Sequence, residues 1–286
     1  MRRGMLVCAL AASVGARAAA QTLTEAPARP TPTDAEQERF LLQAKIVRTK
    51  GAPGGATLST RATLRLDGFE HDAHIQTIDE AKPVVNLRSG LEVDFRDSYK
   101  GNVAAYRLDR LVGLGMVPVT VVRDHDRKEA AYTWWVDDVV MTEGERRAKR
   151  AKSPDTDDWN RQIYIVRLFD QLIYNFDRNL GNILIDSGWR IWMIDHTRAF
   201  KVLEKINKPG DLGTRCERNL FAALKRLDRP TLRATMNGVM TPGQIDGLLT
   251  RRDLIVKHYE DALVQHGEER VLYDHPSRLT EVVERR

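Results

Sequence analysis

The sequence predicts an α+β protein in two lobes: an antiparallel sheet with one helix over residues 39–138, and a mainly helical lobe over 139–270. Three observations carry this. Short apolar segments with the alternation of strands are concentrated before residue 138. Apolar residues at the three-and-four spacing of a one-sided helix dominate after residue 160. Between them, Thr142 to Asp158 is rich in charged and turn residues and reads as the loop dividing the halves.

At the N-terminus, Met1-Arg2-Arg3, the apolar run from Met5 to Val14 and Arg17-Ala18-Ala19-Ala20 form the three parts of a secretory signal peptide, with cleavage expected after Ala20. The run is shorter than the roughly 20 apolar residues a membrane-spanning helix needs, and no later stretch qualifies. A soluble periplasmic or secreted protein is expected. Cys8 falls within the signal, so Cys216 has no partner for an internal disulfide and reads as a buried, inert thiol. Losing Arg2, Arg3 and Arg17 lowers the 45 basic residues to 42 against 40 acidic ones, which removes the charge argument for nucleic-acid binding. A monomer is expected.

Residues 21–38, with Pro27, Pro30 and Pro32 among small polar residues, read as a disordered linker. Leu41, Ala44, Ile46 and Val47 lead into Lys50-Gly51-Ala52-Pro53-Gly54-Gly55, and a strand resumes at Ala62–Leu66: a hairpin with a glycine-rich tip. His74–Ile78 alternates as a strand, Tyr99–Leu114 has helical spacing, and Val117–Val122 and Tyr132–Val136 read as two further strands. Beyond the dividing loop, Ile163, Val166, Phe169, Leu172, Ile173 and Phe176 make the stripe of a buried helix. Two short strands follow, Ile183–Ile185 and Arg190–Ile194, joined by Asp186-Ser187-Gly188. Glu217–Leu227 and Leu248–Val264 read as helices, the second with a start signal in Thr241-Pro242 and Gln244. Residues 271–286 are expected to form a tail.

The chemistry concentrates in Asn175-Phe176-Asp177-Arg178-Asn179-Leu180-Gly181-Asn182 and, one ribbon later, Ile194-Asp195-His196-Thr197-Arg198. An aspartate, an asparagine five residues on, a strand, a turn and a second strand ending in aspartate suits phosphoryl transfer. Asp177, in a polar loop closing a buried helix, can meet an acceptor hydroxyl, while Asn182 and Asp195 offer hard oxygens to a shared magnesium ion. Arg178 either joins the chemistry or braces the loop through a carboxylate, and Asn179 shapes the turn. His196 has no second histidine or cysteine at ligand spacing and reads as structural.

This stretch resembles the protein-kinase-like superfamily, in the branch with the phosphatidylinositol 3- and 4-kinases and the secreted four-jointed-type kinases, where the catalytic loop reads Asp-Arg-x-x-x-Asn. A second resemblance lies in Asn102-Val103-Ala104-Ala105-Tyr106-Arg107-Leu108-Asp109-Arg110-Leu111-Val112-Gly113-Leu114 before Val117-Pro118, similar to the small-lobe helix of the secreted kinases. The resemblance implies a two-lobed kinase-like fold, ATP and Mg2+ as cofactors, Asp177 and Arg178 as catalytic residues, and Asn182 and Asp195 as metal ligands. It also points to Gln76 and Asn102, where those kinases carry a lysine and a glutamate that pair. These two cannot form that ion pair, which leaves open Lys45, Lys50 or Lys82 as the replacing cation, or a hydrogen bond between Gln76 and Asn102.

Gly51, Gly54 and Gly55 are candidates for covering the phosphates with backbone N–H groups, against the alternative of an ordinary hairpin tip. Trp134 and Trp135, at the junction of the lobes, are candidates for flanking a nucleobase, against one plugging the core and the other meeting solvent. The basic run Arg146–Lys152 is either a solvated loop or an attraction for an acidic acceptor. The expected function is an exported kinase-like phosphotransferase acting on an unknown protein, lipid or small-molecule hydroxyl. The alternatives are a pseudokinase or nucleotide-binding interaction module, and nucleotide transfer on the same scaffold.

Overall fold

The computed structural model describes residues 32–51, 59–87 and 90–279. It begins with a helix, because Thr33 and Glu36 form a reciprocal capping box that starts α1 (Asp34–Gln43). This corrects the linker expected over 21–38: from Asp34 the chain is helical, and Phe40 and Leu41 are buried in the core. The signal-peptide cleavage point at Ala20 and the prolines at 27 and 30 lie outside the described residues.

β1 (Lys45–Gly51) and β2 (Ser59–Leu66) pair antiparallel, and the hairpin tip with Gly54 and Gly55 lies outside the described residues. β3 (Phe69–Gln76) starts earlier than its alternation suggests. Asp67 and Gly68 both have positive φ, 49° and 78°, and so close a two-residue turn whose twist suits adjoining strands. An unexpected hairpin follows, β4 (Asp79–Leu87) and β5 (Gly90–Ser98). It leads directly into α2 (Tyr99–Leu111), capped by the Ser98 side chain.

β6 (Thr120–His125) and β7 (Lys128–Trp134) complete a five-stranded antiparallel sheet in the order β1-β2-β3-β7-β6. This part of the chain therefore carries two helices where one was expected. Asp109 at the end of α2 is fully buried and accepts the N–H groups of Gly115, Met116 and Val117 at 2.9–3.1 Å, which fastens the turn into β6. Its neighbour Arg110 pairs with both Asp109 and Asp34, and so joins α2 to α1.

The dividing segment is more ordered than the loop expected there. β8 (Val139–Thr142) runs into α3 (Glu143–Ala148), started by a second capping box from Thr142 and Glu145. α4 (Thr156–Leu172) is the expected buried helix, and a 3-10 turn at Leu180–Asn182 leads into β9 (Ile183–Asp186) and β10 (Ile191–Met193). β8 pairs with β9, giving the order β10-β9-β8.

The remainder is helical: α5 (Arg218–Arg226) after the short β11 (Cys216–Glu217), α6 (Arg229–Thr235), and α7 (Pro242–His266) with its capping box at Thr241 and Gln244. The expected tail is partly structured. α8 (Glu268–Val271) precedes β12 (Leu272–Tyr273), which pairs with β11, and Tyr273 is buried. Cys216 is buried and burial pushes its thiol far up, as an inert thiol requires. Among the described residues no helix is long and apolar enough to cross a membrane.

Candidate active site

Asp170 is the internal anchor of the site. It lies near the end of α4 with 8% of its side chain exposed, and a carboxylate buried there needs partners. Arg178 supplies a forked ion pair, Nε to Oδ2 at 3.0 Å and Nη2 to Oδ1 at 2.9 Å, and Asn175 Nδ2 donates to Oδ1 at 3.0 Å. Nη1 of Arg178 then donates to the carbonyls of Asn182, at 3.1 Å, and Ile194, at 2.6 Å. One guanidinium therefore ties the end of α4 to both strands of the β9-β10 ribbon.

Nη2 of Arg178 also lies 2.9 Å from His196 Nε2. Burial, reinforced by the Arg178 charge, holds that imidazole well below its ordinary value, so the ring is neutral and accepts. These contacts make Arg178 a positioning residue rather than a catalytic one. Asn179 accepts from the N–H groups of Gly181 and Asn182 at 2.8 and 3.1 Å and shapes the 3-10 turn.

On this frame stand the three oxygen-bearing side chains singled out from the sequence. Asp177 is exposed, and its carboxylate makes no hydrogen bond or ion pair among the described residues. Asn182 Nδ2 donates to Asp195 Oδ2 at 3.2 Å. Asp195 is itself exposed and held in the left-handed region at φ 58°, a conformation aspartate tolerates better than most residues. Turning the Asn182 amide over puts its oxygen at that same 3.2 Å, near the roughly 3 Å between neighbouring oxygens on a cation with bonds of about 2.1 Å.

The pair thus fits a hard divalent ion. No cluster of three His, Cys, Asp or Glu side chains set to hold a metal occurs among the described residues. An ion held by Asn182 and Asp195 would complete its shell from phosphate and water.

The sheet and α2 reach this site from the other side. Asn102 does not bond to Gln76, which corrects the neutral replacement considered for the missing ion pair. Its Oδ1 instead accepts the backbone N–H of His196 at 2.7 Å, in buried surroundings. Ser98 N–H donates to the Thr197 carbonyl at 3.0 Å. Gly101 is required between these two contacts, since a Cβ there would collide with the His196 carbonyl oxygen and lie 3.0 Å from its carbon. α2 is therefore latched to the backbone beside Asp195.

The other nucleotide candidates scatter. Gln76 is buried at the end of β3, and Gly51 pairs with Thr60 at the end of β1. Lys82 pairs with Glu80 on the β4-β5 hairpin, and Lys45 is exposed at the end of β1 remote from the tip. The backbone of Lys50 pairs with Arg61. Trp134 is a core residue, stacked on His71 at 3.6 Å and edge-on to Phe40 at 5.6 Å, which removes it from any ligand. Trp135 is half-buried, with the Arg61 guanidinium 4.0 Å over its ring.

His74 is not among the residues that the motifs single out. By strand alternation it shares a face of β3 with Gln76, opposite Arg61 on β2 and Thr133 on β7. Burial lowers its pKa against the upward pull of the Asp195 carboxylate. The two-residue offset from Gln76 was the signal available.

No protein-family model matches the chain, and no curated protein matches it by sequence. Solved structures do. The structure of hydra Fam20 with sugar aligns with TM-score 0.66 at 15% identity, covering 84% of this chain and 92% of that one. The Golgi casein kinase, also solved with Mn and ADP bound, aligns with TM-score 0.59 at 14% identity, covering 85% of this chain and 80% of that one. The chain has a two-lobed protein-kinase-like fold of the kind seen in Fam20 and the Golgi casein kinase.

Proposed function

We propose that the chain is an exported kinase-like phosphotransferase that moves the γ-phosphoryl of ATP to a hydroxyl acceptor with the help of magnesium. The observation that carries this reading is the meeting of Asn182 and Asp195 at 3.2 Å while Asp177 stands exposed and unbonded beside Arg178, which grips the backbone of the same ribbon. The binding of Mn and ADP by the Golgi casein kinase supports a nucleotide and a divalent ion as ligands. Asp177-Arg178 is the feature shared with the phosphatidylinositol kinases, and the N-terminal pattern ending at Ala20 supports export.

In this reading the Asp177 carboxylate orients the acceptor hydroxyl and takes its proton as the oxygen attacks the terminal phosphorus. The bond to the bridging oxygen breaks in line, and ADP carries that electron pair away. Magnesium, bound by Asn182 and Asp195, would neutralise charge on the phosphates. Arg178, Asn102 and Gly101 keep those two oxygens in place.

The absence of a Lys–Glu pair at Gln76 and Asn102 favours a second reading, a nucleotide-binding module without transfer. Thermal-shift titration with ATP, with and without Mg2+, on the wild type and Asp195→Ala tests the site. Magnesium-dependent stabilisation of the wild type, about 2.7 kcal/mol at 100-fold excess over Kd and absent from the variant, is expected. ADP release in the presence of hydroxyl acceptors, lost in Asp177→Asn while ATP still binds, separates transfer from binding alone. No ATP-dependent shift in either protein would leave only the scaffold.

A further inference from the structure

The β4-β5 hairpin docks on the segment after Asp195 through one carboxylate that meets two cations. Glu92 accepts from Arg198 Nη2 at 2.6 Å and from Lys201 Nζ at 2.7 Å, and the Asp94 side chain accepts the Val202 N–H at 2.7 Å. Glu92 is 13% exposed, Arg198 20% and Lys201 3%, so one carboxylate meets two cations in a place where water screens poorly, with Asp97 as a further carboxylate facing Arg198. The Arg198 guanidinium lies over the rings of Phe95, at 4.8 Å, and Phe176, at 5.1 Å, and Phe176 directly precedes Asp177.

Arg198 Nε is buried there without a hydrogen-bond partner, while Nη1 is neither bonded nor buried. The same guanidinium acts on Asp97, which bonds to Thr197 and feels Asp195. A cation with an open donor thus stands three residues beyond Asp195 and against the residue before Asp177. β3, which carries His74 and Gln76 on one face, contains no lysine.

We propose that Arg198, carried by Glu92, is the cation for the terminal phosphate of the nucleotide, replacing the lysine that Gln76 displaces. The ion pair has moved rather than disappeared: its cation sits on the loop after Asp195 and its anion on the hairpin before α2. Lys201, which also donates to the Val93 carbonyl at 3.3 Å, holds the far side of Glu92 and leaves Arg198 the outward donor. This inference rests on the phosphate-transfer reading and names the residue that makes it workable.

The test is the affinity of the full chain for AMP, ADP and ATP with Mg2+, in the wild type, Arg198→Met and Arg198→Lys. Methionine keeps an apolar stem between the two phenyl rings and removes the charge, and Lys201 still compensates Glu92. Arg198→Met is expected to lose about tenfold or more in ATP affinity, the scale of a charge-assisted hydrogen bond, with AMP affinity unchanged. Arg198→Lys is expected to keep most of the preference for ATP over AMP.

An Arg198→Met protein that binds ATP as the wild type does, or loses ATP and AMP affinity alike, overturns the assignment and leaves the transfer reading standing. If Arg198→Met does not fold, an Arg198→Lys protein with no preference for ATP over AMP overturns it as well. A wild type that binds no ATP overturns both.

Discussion

Asn102 shows how one amide can serve where an ion pair is absent. Its oxygen accepts the His196 N–H at 2.7 Å inside the protein, so Asn102→Ala leaves a buried donor without a partner. A loss of about 1–3 kcal/mol in urea unfolding is expected, together with weaker magnesium-dependent ATP binding, because the same backbone carries Asp195. Arg178→Met is expected to cost more, about 3–5 kcal/mol, since it strands the Asp170 carboxylate in the interior. Arg178→Lys keeps the charge but loses the fork, and its denaturation midpoint should fall between the two. The meeting of Asn182 and Asp195 was legible because each must stand at a fixed place along one loop and one ribbon. Asp170 was overlooked, although a charged residue between Phe169 and Leu172 on a buried stripe is itself a signal for an internal counter-ion.

The hairpin and α2 make the same point for whole elements. Helix propensity favours alanine over glycine by about 1 kcal/mol, so Gly101→Ala would stabilise an isolated helix. Here the added carbon meets the His196 carbonyl, backbone that cannot swing aside, and overpacking of about 1–3 kcal/mol decides the sign. Thermal unfolding should show Gly101→Ala as destabilised, with ATP binding weakened as α2 is pushed off its latch. Burial would raise the Glu92 carboxyl, but hydrogen bonds from Lys201 and Arg198 outweigh it and hold Glu92 below the usual glutamate range. A depressed folded value means that docking is stabilised above pH 4.5 and weakened as pH falls through the folded value. Protection from hydrogen exchange over residues 79–87 and 90–98, taken relative to the intrinsic rate at each pH, should accordingly fall in acid, and Glu92→Gln should lower it at neutral pH. The hairpin escaped the sequence reading because Lys82, Pro83, Asn86 and Asp94 interrupt its alternation, and its stability depends on Arg198 and Lys201, more than 100 residues away.

At the scale of the molecule, a chain of contacts runs from α1 to Asp195. Asp34 pairs with Arg110 and Glu38 accepts from Tyr106 at 2.6 Å, so α1 braces α2. α2 grips the His196 backbone through Asn102, and that backbone presents Asp195. Arg123 closes the end of α1 by donating to the Leu41 and Ala44 carbonyls at 2.9 and 2.7 Å. The prolines upstream masked this helix in the sequence, although Thr33 and Glu36 carry the same start signal that was read correctly at Thr241 and Gln244. Phe40 is 4% exposed and Leu41 fully buried, and each contributes about 1.5–3 kcal/mol by leaving water. Their sum, about 3–6 kcal/mol, is a large share of the stability of an ordinary domain, about 5–15 kcal/mol. A chain beginning at Pro32 is therefore expected to melt cooperatively and to bind ATP with magnesium. One beginning at Lys45 is expected to lose both, because Trp134 and Phe69 are uncovered and α2 loses its outer support. Circular-dichroism melting and the ATP titration check the pair, and a Lys45 start that keeps its melting temperature and its ATP affinity would show that α1 does not support the site.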